Sequence, residues 1–457
     1  MPRALDVVIL AAGKGTRMVS ERPKVLHEIA GKSLLAHVLS TAKLLDPAQI
    51  CVIYGYGGDA VPHAIDDHFV RMVKQEPQLG TAHAVLQALP HLNDKHITLV
   101  LYGDVPLTHT ETLLPLVKIA LNGQVALLTI EMSNPSGYGR IIRKGGKVRR
   151  IVEEKDASPE ERTVTEVNTG IMALPNQFLT GWLSKIKNTN AQGEFYLTDV
   201  IDLAVNAGVE VVTSHPTHHW EVLGVNSKGQ LAHLERLYQQ EQAQKLLNSG
   251  VTLLDPGRID IRGEISCGND VIIDVNCVFE GHVKLGDGVS VGANCILRDV
   301  DIEAGCKIEP FSLLEKSILG AGCRIGPFAR MRPGSELAEE VHIGNFVEIK
   351  NSQIGFNSKI NHLSYVGDAT VGSKVNIGAG TITCNYDGAN KYRTIIEDGA
   401  FIGSDTQLIA PVTVGKGSTI GAGSTITRDT PTGELTLSRA KQITVNGWAR
   451  PVKKTKE

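Results

Sequence analysis

A six-residue repeat of apolar side chains runs through the second half of the chain, over residues 253–426. A period of six fits neither an amphipathic helix, with a period of 3.6, nor a two-faced strand, with a period of 2. It fits short parallel strands that turn a corner every six residues and stack coil upon coil. Two interleaved series of apolar residues follow this spacing in the first coils, and the six-residue spacing is regular again over residues 402–426. The registers are Ile259, Ile265, Val271, Cys277, Val283, Val289 and Cys295, and Ile261, Cys267, Ile273, Phe279, Leu285, Val291 and Leu297.

Length and charge limit the classes of protein to which the chain can belong. Its 457 residues exceed what one hydrophobic core organises, which predicts two or three domains. There are 46 Lys and Arg against 49 Asp and Glu, and this net charge of −3 does not favour nucleic-acid binding. Seven cysteines without a C-x-x-C pair indicate a reducing compartment. The sequence shows neither a secretory signal nor a membrane span, so we expect a cytoplasmic protein that does not bind membranes.

A glycine loop follows a buried strand near the N-terminus. Residues 7–10 are apolar, and residues 11–18 form a loop that opens toward a helix. Glycines let backbone N–H groups approach a phosphate, and a helix N-terminus favours negative charge. Arg17 and Lys24 add two cations, which suits a triphosphate whose charge must be neutralised before attack. A plain strand-to-helix turn with solvated cations is the alternative.

Two further segments of the first half carry candidate ligands. Residues 97–101 predict a buried strand that ends in Tyr102-Gly103-Asp104. Ligands of open α/β sheets bind beyond the carboxyl ends of the strands, so Asp104 is placed to hold a hard cation. The alternative is that Asp104 caps the following helix. Residues 75–81 offer side-chain amides that can pair with a nucleotide base.

Six motifs occur in a fixed order: LAAGKGTRM, PKVLHEIAGKSLLAHV, QLGTAHA, LYGDVPL, GYGRI and VNTGI. Together they resemble the sugar-1-phosphate nucleotidyltransferases. With the hexapeptide half attached, the whole chain resembles the bifunctional bacterial N-acetylglucosamine-1-phosphate uridyltransferase / glucosamine-1-phosphate N-acetyltransferase family, the GlmU type. The resemblance implies a Rossmann-like α/β nucleotidyltransferase domain (residues 1–226), a linker helix (227–250) and a left-handed parallel β-helix with a C-terminal tail (251–457).

For the first domain the resemblance implies a uridyltransferase site. A phosphate oxygen of N-acetylglucosamine 1-phosphate would attack the α-phosphorus of UTP, and pyrophosphate would leave. Asp104 and Asn226 would share a Mg²⁺, and Arg17 and Lys24 would act on the phosphates as catalytic residues. The implied substrate-binding residues are Leu10, Ala11, Ala12, Gly13, Lys24, Gln75, Gly80, Thr81, Tyr102, Gly103, Asp104, Gly139, Glu153, Asn168 and Asn226.

The hexapeptide period breaks in its middle, where chemically reactive side chains cluster. The register slips at residues 297–302 and 331–341, and residues 383–393 form a polar loop. Arg332, Lys350, His362 and Tyr365 precede this loop and are unusual on a β-helix face. A histidine suits removal of a proton from the amine of glucosamine 1-phosphate before that amine attacks a thioester. A hydrogen-bonded surface histidine is the alternative.

The resemblance assigns acetyl transfer to this region. His362 would accept the proton, and Glu348 is a hypothesis for the residue that orients it. Glucosamine 1-phosphate would contact Arg332, Lys350, Tyr365 and Asn376. Acetyl-CoA would contact Ala379, Asn385, Tyr386, Ser404, Ala422 and Arg439. The resemblance also implies a homotrimer and a product, UDP-N-acetylglucosamine, that feeds peptidoglycan and lipopolysaccharide synthesis.

Two other functions remain open from the sequence. The β-helix could serve only to oligomerise a nucleotide-sugar pyrophosphorylase, although such a helix needs neither His362 nor Arg332. It could also be a zinc hydratase with His342 and His362 as ligands, which requires a third histidine suitably placed at a subunit interface, and the sequence offers no evident candidate. The basic tail, residues 448–456, either closes on the phosphates of coenzyme A or is disordered.

Overall fold

The computed structural model describes residues 4–454. Residues 1–3 and 455–457, which belong to the start of the first predicted domain and the end of the basic tail, lie outside the described residues. The chain divides into two compact units, Met1–Tyr238 and Gln239–Glu457. No helix in the described part has the length and apolar composition needed to cross a membrane.

The N-terminal unit alternates strands and helices. Its strands are β1 (Leu5–Leu10), β2 (Glu28–Ile29), β3 (Lys32–Ser33), β4 (Gln49–Tyr54), β5 (Val70–Lys74), β6 (Ile97–Tyr102), β7 (Val125–Glu131), β8 (Arg140–Lys144), β9 (Lys147–Val152), β10 (Glu166–Pro175) and β11 (Val211–Ser214). Its helices are α1 (Leu34–Leu44), α2 (Ala60–Ala64), α3 (Thr81–Ala88), α4 (Thr110–Leu121), α5 (Asn176–Leu183) and α6 (Asp199–Asn206), and α7 (Lys228–Asn248) follows.

The main sheet of this unit has the order β11-β7-β10-β6-β1-β4-β5. Strand β1 is apolar and buried at nearly every position, as expected for a strand with helices on both faces of its sheet. Strand β10 runs antiparallel to β6 and β7, whereas β1 is parallel to β4 and β6. The loops after β1, β4 and β6 therefore open at the same carboxyl edge, where open α/β sheets bind ligands. The Rossmann-like prediction is confirmed.

Helix α7 corresponds to the predicted linker helix, and the division between the two units falls inside it. Ser227 caps its N-terminus, because the backbone N–H of Gln230 donates to Ser227 Oγ over 3.2 Å. Gly250 follows its C-terminus with a φ of 96°, a conformation that favours glycine and ends a helix.

The C-terminal unit is a parallel β-helix. Its strands are β12 (Thr252–Leu253), β13 (Ile259–Cys267), β14 (Ile272–Ile273), β15 (Cys277–Leu285), β16 (Ser290–Val291), β17 (Ile296–Ile302), β18 (Lys307–Ile308), β19 (Leu313–Leu319), β20 (Arg324–Ile325), β21 (Arg330–Met331), β22 (Ser335–Leu337), β23 (His342–Asn345), β24 (Glu348–Lys350), β25 (Gln353–Ile354), β26 (Lys359–His362), β27 (Tyr365–Gly367), β28 (Ala369–Val371), β29 (Asn376–Ile377), β30 (Ile382–Cys384), β31 (Thr394–Ile396), β32 (Phe401–Ile402), β33 (Gln407–Ile409), β34 (Val412–Val414), β35 (Thr419–Ile420), β36 (Thr425–Ile426) and β37 (Leu435–Thr436).

The coils of this helix explain the period of six. Ile259 pairs with Cys277 and Val278 with Ile296, so each of these coils advances the chain by three hexads. The apolar registers fill the interior, although Ile265 and Cys267 are only partly buried. Each coil buries its apolar side chains against its neighbours, as the repeat predicts. The left-handed parallel β-helix that the family resemblance implies is confirmed.

The predicted slips in register correspond to coils of other lengths. Ile296 pairs with Leu313 and Glu336 with Gln353, so these coils fall one residue short of three hexads. Ile382 pairs with Gln407, which makes this coil longer by more than a hexad. The polar loop begins at residue 385, because Thr383 and Cys384 of the predicted loop are paired in β30. Because pairing resumes in register after the loop, the coils on either side of it keep their stacking.

Candidate active sites

A cavity of about 430 Å³ opens at the carboxyl edge of the N-terminal sheet. The predicted residues that line it are Leu10, Ala11, Ala12, Gly13, Lys24, Gln75, Gly80, Thr81, Tyr102 and Asp104. The cavity is also lined by five residues that the resemblance did not assign to the site: Lys14, Val25, Gln78, Ala84 and Glu194. A larger open groove, of about 790 Å³, lies along residues 264–318 of the β-helix, and none of the predicted site residues lines it.

Lys24 lies between the two residues predicted to share a metal ion. Its Nζ is hydrogen-bonded to Asp104 Oδ2 and, over 3.0 Å, to Asn226 Oδ1. Gly15 makes room for this side chain, because a Cβ there would lie 2.7 Å from Lys24 Cβ. The carboxylate and the amide oxygen thus converge on one positive charge. Such oxygens are the ligands that Mg²⁺ takes in proteins, so this pair fits a divalent cation.

The loops after β1 and β6, which carry Leu10 and Gly103, contact each other at the edge of the sheet. The backbone N–H of Gly103 donates to Leu10 O over 2.9 Å, which joins the loops after β1 and β6. A Cβ at Gly103 would lie 3.3 Å from Ala11 Cβ, so the two loops pack closely. Arg17 lies exposed on the short turn Thr16–Met18, outside the cavity lining.

The segment predicted to hold the base is fixed by its own hydrogen bonds. Gln75 is 3% exposed, and its Nε2 donates to Gly80 O over 3.0 Å. Gly80 has a φ of 114°, and a Cβ there would lie 2.6 Å from Phe195 O. The Thr81 Oγ1 accepts from the backbone N–H of Leu197 over 2.9 Å. A larger residue at position 80 would therefore push apart two segments that border the cavity.

The residues predicted to hold the sugar form a second group beside Tyr102. The backbone N–H of Asn168 donates to Gly139 O over 2.8 Å. A Cβ at Gly139 would lie 2.9 Å from Ile151 Cγ2 and 3.4 Å from Glu153 Oε2, so glycine permits close packing at this point. Gly170 donates its N–H to Asn168 Oδ1 over 3.1 Å and packs against the Tyr102 ring. Tyr102 therefore lines the cavity and also packs beside the residues predicted to hold the sugar.

Glu153 has an environment that suits contact with a sugar hydroxyl. Burial raises the pKa of Glu153, and the neighbouring Asp156 raises it further. The hydroxyl of Thr198, which donates to Glu153 Oε1 over 2.9 Å, opposes this rise. Thr198 was not predicted, and its contact with Glu153 joins segments 45 residues apart. A buried carboxyl oxygen gains most from a donor that a bound ligand brings.

His362 of the β-helix has a partner that the sequence did not identify. Its Nδ1 lies 3.0 Å from Asn345 Oδ1, and an amide oxygen only accepts hydrogen bonds. Nδ1 therefore carries the hydrogen, and Nε2 carries the lone pair that can accept a proton. Asn345 is the residue aligned with His362 in the preceding coil.

The hypothesis that Glu348 orients His362 is corrected by these contacts. Glu348 Oε1 accepts from Arg332 Nη1 over 2.9 Å. Glu348 is aligned with Tyr365, not with His362. The physical reason is the coil length, which places residue 345 beneath residue 362 and turns residue 348 to another face of the helix.

Asn345→Ala is expected to lower the kcat of acetyl transfer about tenfold, the effect of about 1.4 kcal/mol from one hydrogen bond. Without the amide oxygen the imidazole loses its fixed tautomer and orientation. Glu348→Ala is the matched variant and is expected to raise the KM for glucosamine 1-phosphate, because it frees Arg332. Steady-state kinetics with both substrates varied separate the two effects, and a kcat loss confined to Glu348→Ala would contradict the assignment.

Three cationic side chains, Lys350, Arg332 and Lys391, lie close to one another. Lys350 Nζ lies 3.4 Å from Asp368 Oδ2, and Arg332 is paired with Glu348. Lys391, from the polar loop, adds a cation that the prediction did not include, and contact with the Lys350 ammonium group lowers the pKa of Lys391. Three cations against two carboxylates leave a net positive charge, which suits a phosphate group.

The residues predicted for acetyl-CoA form a column that continues from His362. Strands β26, β29, β32 and β35 pair in register, so residues 362, 379, 404 and 422 occupy the same position in successive coils. Ala379 O accepts from the N–H of Asp405, and Ser404 O accepts from the N–H of Gly423. Arg439 Nη1 donates to Ala422 O over 2.8 Å and ends the column.

The remaining predicted residues lie to either side of this column. Asn376 is three residues before Ala379 and pairs with residues 359 and 401. Asn385 begins the polar loop at another corner, where its Nδ2 is hydrogen-bonded to Asp368 Oδ2. Tyr386 is 60% exposed, and its hydroxyl donates to Gly388 O over 2.5 Å. The loop thus presents an exposed aromatic ring next to a buried amide.

The zinc alternative required three ligands in one place. In residues 4–454, no group of three or more His, Cys, Asp or Glu side chains has the arrangement of a metal site. His342 and His362 therefore have no third such ligand in the described part of the chain.

Comparisons with known proteins cover both units. A family model of the MobA-like NTP transferase domain matches residues 7–253, one of the GMPPB C-terminal domain matches residues 261–354, and one of bacterial transferase hexapeptide repeats matches residues 393–428. The chain is 63% identical over 454 residues to the bifunctional protein GlmU of Nitrosospira multiformis, covering 99% of each. It is 62% identical over 453 residues to that of Thiobacillus denitrificans, again covering 99% of each. For Ralstonia nicotianae the identity is 60% over 454 residues, which cover 99% of this chain and 100% of the relative.

Proposed function

This chain belongs to the family of the bifunctional protein GlmU, and we propose that its two units carry that family's two activities at the residues described above. It is a bifunctional transferase. One activity moves the acetyl group of acetyl-CoA to glucosamine 1-phosphate, and the other moves the uridylyl group of UTP to N-acetylglucosamine 1-phosphate. The combined product is UDP-N-acetylglucosamine, a precursor of peptidoglycan and lipopolysaccharide.

One observation carries the assignment of acetyl transfer to the β-helix: His362, with its tautomer set by Asn345, heads the column of Ala379, Ser404 and Ala422. In the proposed reaction, His362 Nε2 accepts a proton from the amine of glucosamine 1-phosphate. The amine nitrogen attacks the thioester carbonyl, and the sulfur of coenzyme A leaves as a thiolate that takes up a proton. A β-helix that only oligomerised would need none of these groups.

The phosphate and the donor have separate contacts in this proposal. Arg332, Lys350, Tyr365 and Asn376 hold glucosamine 1-phosphate, and Lys391 adds a further cation beside Lys350. Acetyl-CoA lies along the column and contacts Asn385, Tyr386 and Arg439 as well. The support for this division is that Lys350, Arg332 and Lys391 lie close to one another, whereas residues 362, 379, 404 and 422 form a column through successive coils.

Uridylyl transfer is assigned to the cavity at the carboxyl edge of the N-terminal sheet. Arg17 and Lys24 neutralise the phosphates of UTP, and Gln75, Gly80 and Thr81 hold the uracil. Gly139, Glu153 and Asn168 orient the sugar so that its phosphate oxygen can reach the α-phosphorus. The family and its nucleotidyltransferase domain are consistent with a divalent metal ion. We assign Mg²⁺, which Asp104 and Asn226 would hold and which, when bound, neutralises charge on the phosphates.

The proposal includes a homotrimer in the cytoplasm. Three phenylalanine rings, Phe311, Phe328 and Phe346, stack at successive corners of the β-helix with centroid separations of 5.0 and 5.2 Å. All three are about half exposed, which leaves an apolar ridge that a second copy of the chain could cover. All seven cysteines lie in the described residues and are free, which fits a reducing compartment.

An assay that omits one component at a time tests the proposed function. With glucosamine 1-phosphate, acetyl-CoA, UTP and MgCl₂, the purified protein is expected to release coenzyme A thiol and pyrophosphate. Omitting acetyl-CoA is expected to stop pyrophosphate release, which N-acetylglucosamine 1-phosphate restores. Omitting Mg²⁺ in the presence of EDTA is expected to stop pyrophosphate release but not thiol release. Equal pyrophosphate release from glucosamine 1-phosphate without acetyl-CoA would contradict the proposed order.

A further inference from the structure

The β-helix contains a buried carboxylate that the proposed mechanism does not use. Asp368 is 8% exposed and lies at a corner of the helix with a φ of 49°. Asn351 Nδ2 donates to its Oδ1 over 2.6 Å. Asn385 Nδ2 is hydrogen-bonded to its other oxygen, Oδ2, and Lys350 Nζ lies 3.4 Å from the same atom. Donors from the coil before Asp368 and from the coil after it therefore converge on one side chain.

The backbone of Asp368 connects the same segments. Its N–H donates to Lys350 O over 2.9 Å, and its carbonyl accepts from the N–H of Thr394 over 3.2 Å. Thr394 begins the strand that follows the polar loop, and Asn385 precedes that loop. The N–H of Tyr392 closes the loop by donating to Asn385 O over 2.8 Å. Both ends of the loop are thus attached at Asp368.

The contacts of Asp368 keep it charged. Burial on its own would raise the pKa of this carboxyl, but hydrogen bonds from Asn351 and Asn385, together with Lys350, lower it below its ordinary value. A carboxylate accepts at both oxygens, so it can satisfy all three donors at once.

The corner itself does not require a carboxylate. Asn351 occupies the same corner one coil earlier with a φ of 46°, so an amide side chain is compatible with this backbone. The charge at position 368 is therefore explained by the groups that it binds and not by the turn.

We propose that Asp368 is a positioning residue for acetyl transfer, which holds Lys350 and Asn385 in one fixed arrangement. The inference rests on the proposed function, in which Lys350 binds the phosphate of glucosamine 1-phosphate and Asn385 contacts acetyl-CoA. Both donors approach Oδ2 of Asp368, so a change in the position of one alters the contact of the other. The acceptor and donor substrates are therefore placed relative to each other through a single carboxylate oxygen.

Asp368→Asn tests this role because it keeps the size and the corner but removes the charge and one acceptor oxygen. The kcat/KM of acetyl transfer is expected to fall about 10- to 100-fold, the range for loss of hydrogen bonds to a charged group. The KM is expected to rise for both glucosamine 1-phosphate and acetyl-CoA. Uridylyl transfer is expected to stay near the wild-type value, whereas the midpoint of thermal unfolding is expected to fall, because one of the three donors loses its acceptor.

Asp299→Asn is the matched control. Asp299 also lies at a corner of the β-helix, with a φ of 49°, and its Oδ1 accepts from the backbone N–H of His282 over 3.1 Å. It is outside the set of residues assigned to acetyl transfer. This variant is expected to keep both activities, which separates the loss of a corner carboxylate from the loss of Asp368.

Single and double variants separate this inference from the function on which it rests. Lys350→Ala is expected to raise the KM for glucosamine 1-phosphate, and Asn385→Ala the KM for acetyl-CoA. Adding Asp368→Asn to either is expected to cost less than the product of the separate effects, because the variants remove one shared contact. If the two alanine variants behave as expected and Asp368→Asn leaves both KM values unchanged, or changes only the unfolding midpoint, the positioning role is wrong. If the alanine variants themselves leave both KM values unchanged, the proposed roles of Lys350 and Asn385 fail and the inference fails with them.

Discussion

Replacing His362 with alanine is expected to lower the rate of acetyl transfer by a factor of about 10² to 10⁴, the contribution of a general base. The amine of the acceptor sugar is protonated near neutral pH and cannot attack a thioester until the proton is removed. Asn345 holds the imidazole with Nε2 as the proton acceptor, so the variant loses this group without losing a buried apolar contact. Release of coenzyme A thiol measures acetyl transfer, and release of pyrophosphate measures uridylyl transfer, which is expected to be unchanged.

His342→Ala provides the control for His362→Ala. His342 lies in strand β23 on the same sheet, and it is aligned with Lys359 of the next coil. This variant is expected to keep acetyl transfer within about twofold, since surface side chains away from a site contribute little. Acetyl transfer that survives in His362→Ala within a few-fold of wild type would show that another group accepts the proton.

Asp104→Asn is expected to have the opposite pattern, with uridylyl transfer lowered at least about 10²-fold and acetyl transfer unchanged. The carboxylate of Asp104 binds the Lys24 ammonium group and, with Asn226, forms the pair of oxygens that fits a divalent cation. The amide keeps the shape of the side chain but has no charge to balance either cation. Pyrophosphate release measured over a range of Mg²⁺ concentrations is expected to require more Mg²⁺ than the wild type.

Asp94→Asn is the matched control for Asp104→Asn. Asp94 is exposed and lies outside the cavity lining, so removal of its charge is expected to leave both activities unchanged. If Asp104→Asn kept uridylyl transfer within a few-fold of wild type at every Mg²⁺ concentration, the site would have to be moved away from the carboxyl edge of the sheet.

The fold of both units could be predicted from local patterns of apolar residues in the sequence. The hexapeptide repeat predicts the β-helix because each apolar position meets its equivalent in the next coil, as Ile259 meets Cys277. The apolar run of β1 predicts a strand buried on both faces, and the carboxyl ends of parallel strands share one edge. The sequence therefore predicts that Leu10 and Asp104 lie close together, and both line the cavity.

Contacts between distant coils could not be predicted in the same way. Asn345 was missed because its alignment with His362 depends on a coil one residue shorter than the three full hexads of the first coils. Glu348 was chosen for its nearness in sequence and from the family pattern, but nearness in sequence does not give nearness across coils. Thr198 was missed because its contact with Glu153 depends on how a helix packs beside a strand 45 residues away. Neither the contact between Asn345 and His362 nor that between Glu153 and Thr198 leaves a periodic signal in the sequence.

The long coil that carries the polar loop has a consequence for how such a chain can change over generations. Residues 385–393 leave and rejoin the helix beside Asp368, and the strands before and after them remain paired in register. Insertions, deletions or an entire grafted loop can therefore be accommodated there without shifting the coils that follow. A deletion of one residue within a strand has the opposite effect, because it exchanges inward and outward side chains until the coil can compensate. The β-helix thus combines a loop that tolerates changes in length with strands in which the loss of one residue reverses the direction of the side chains that follow.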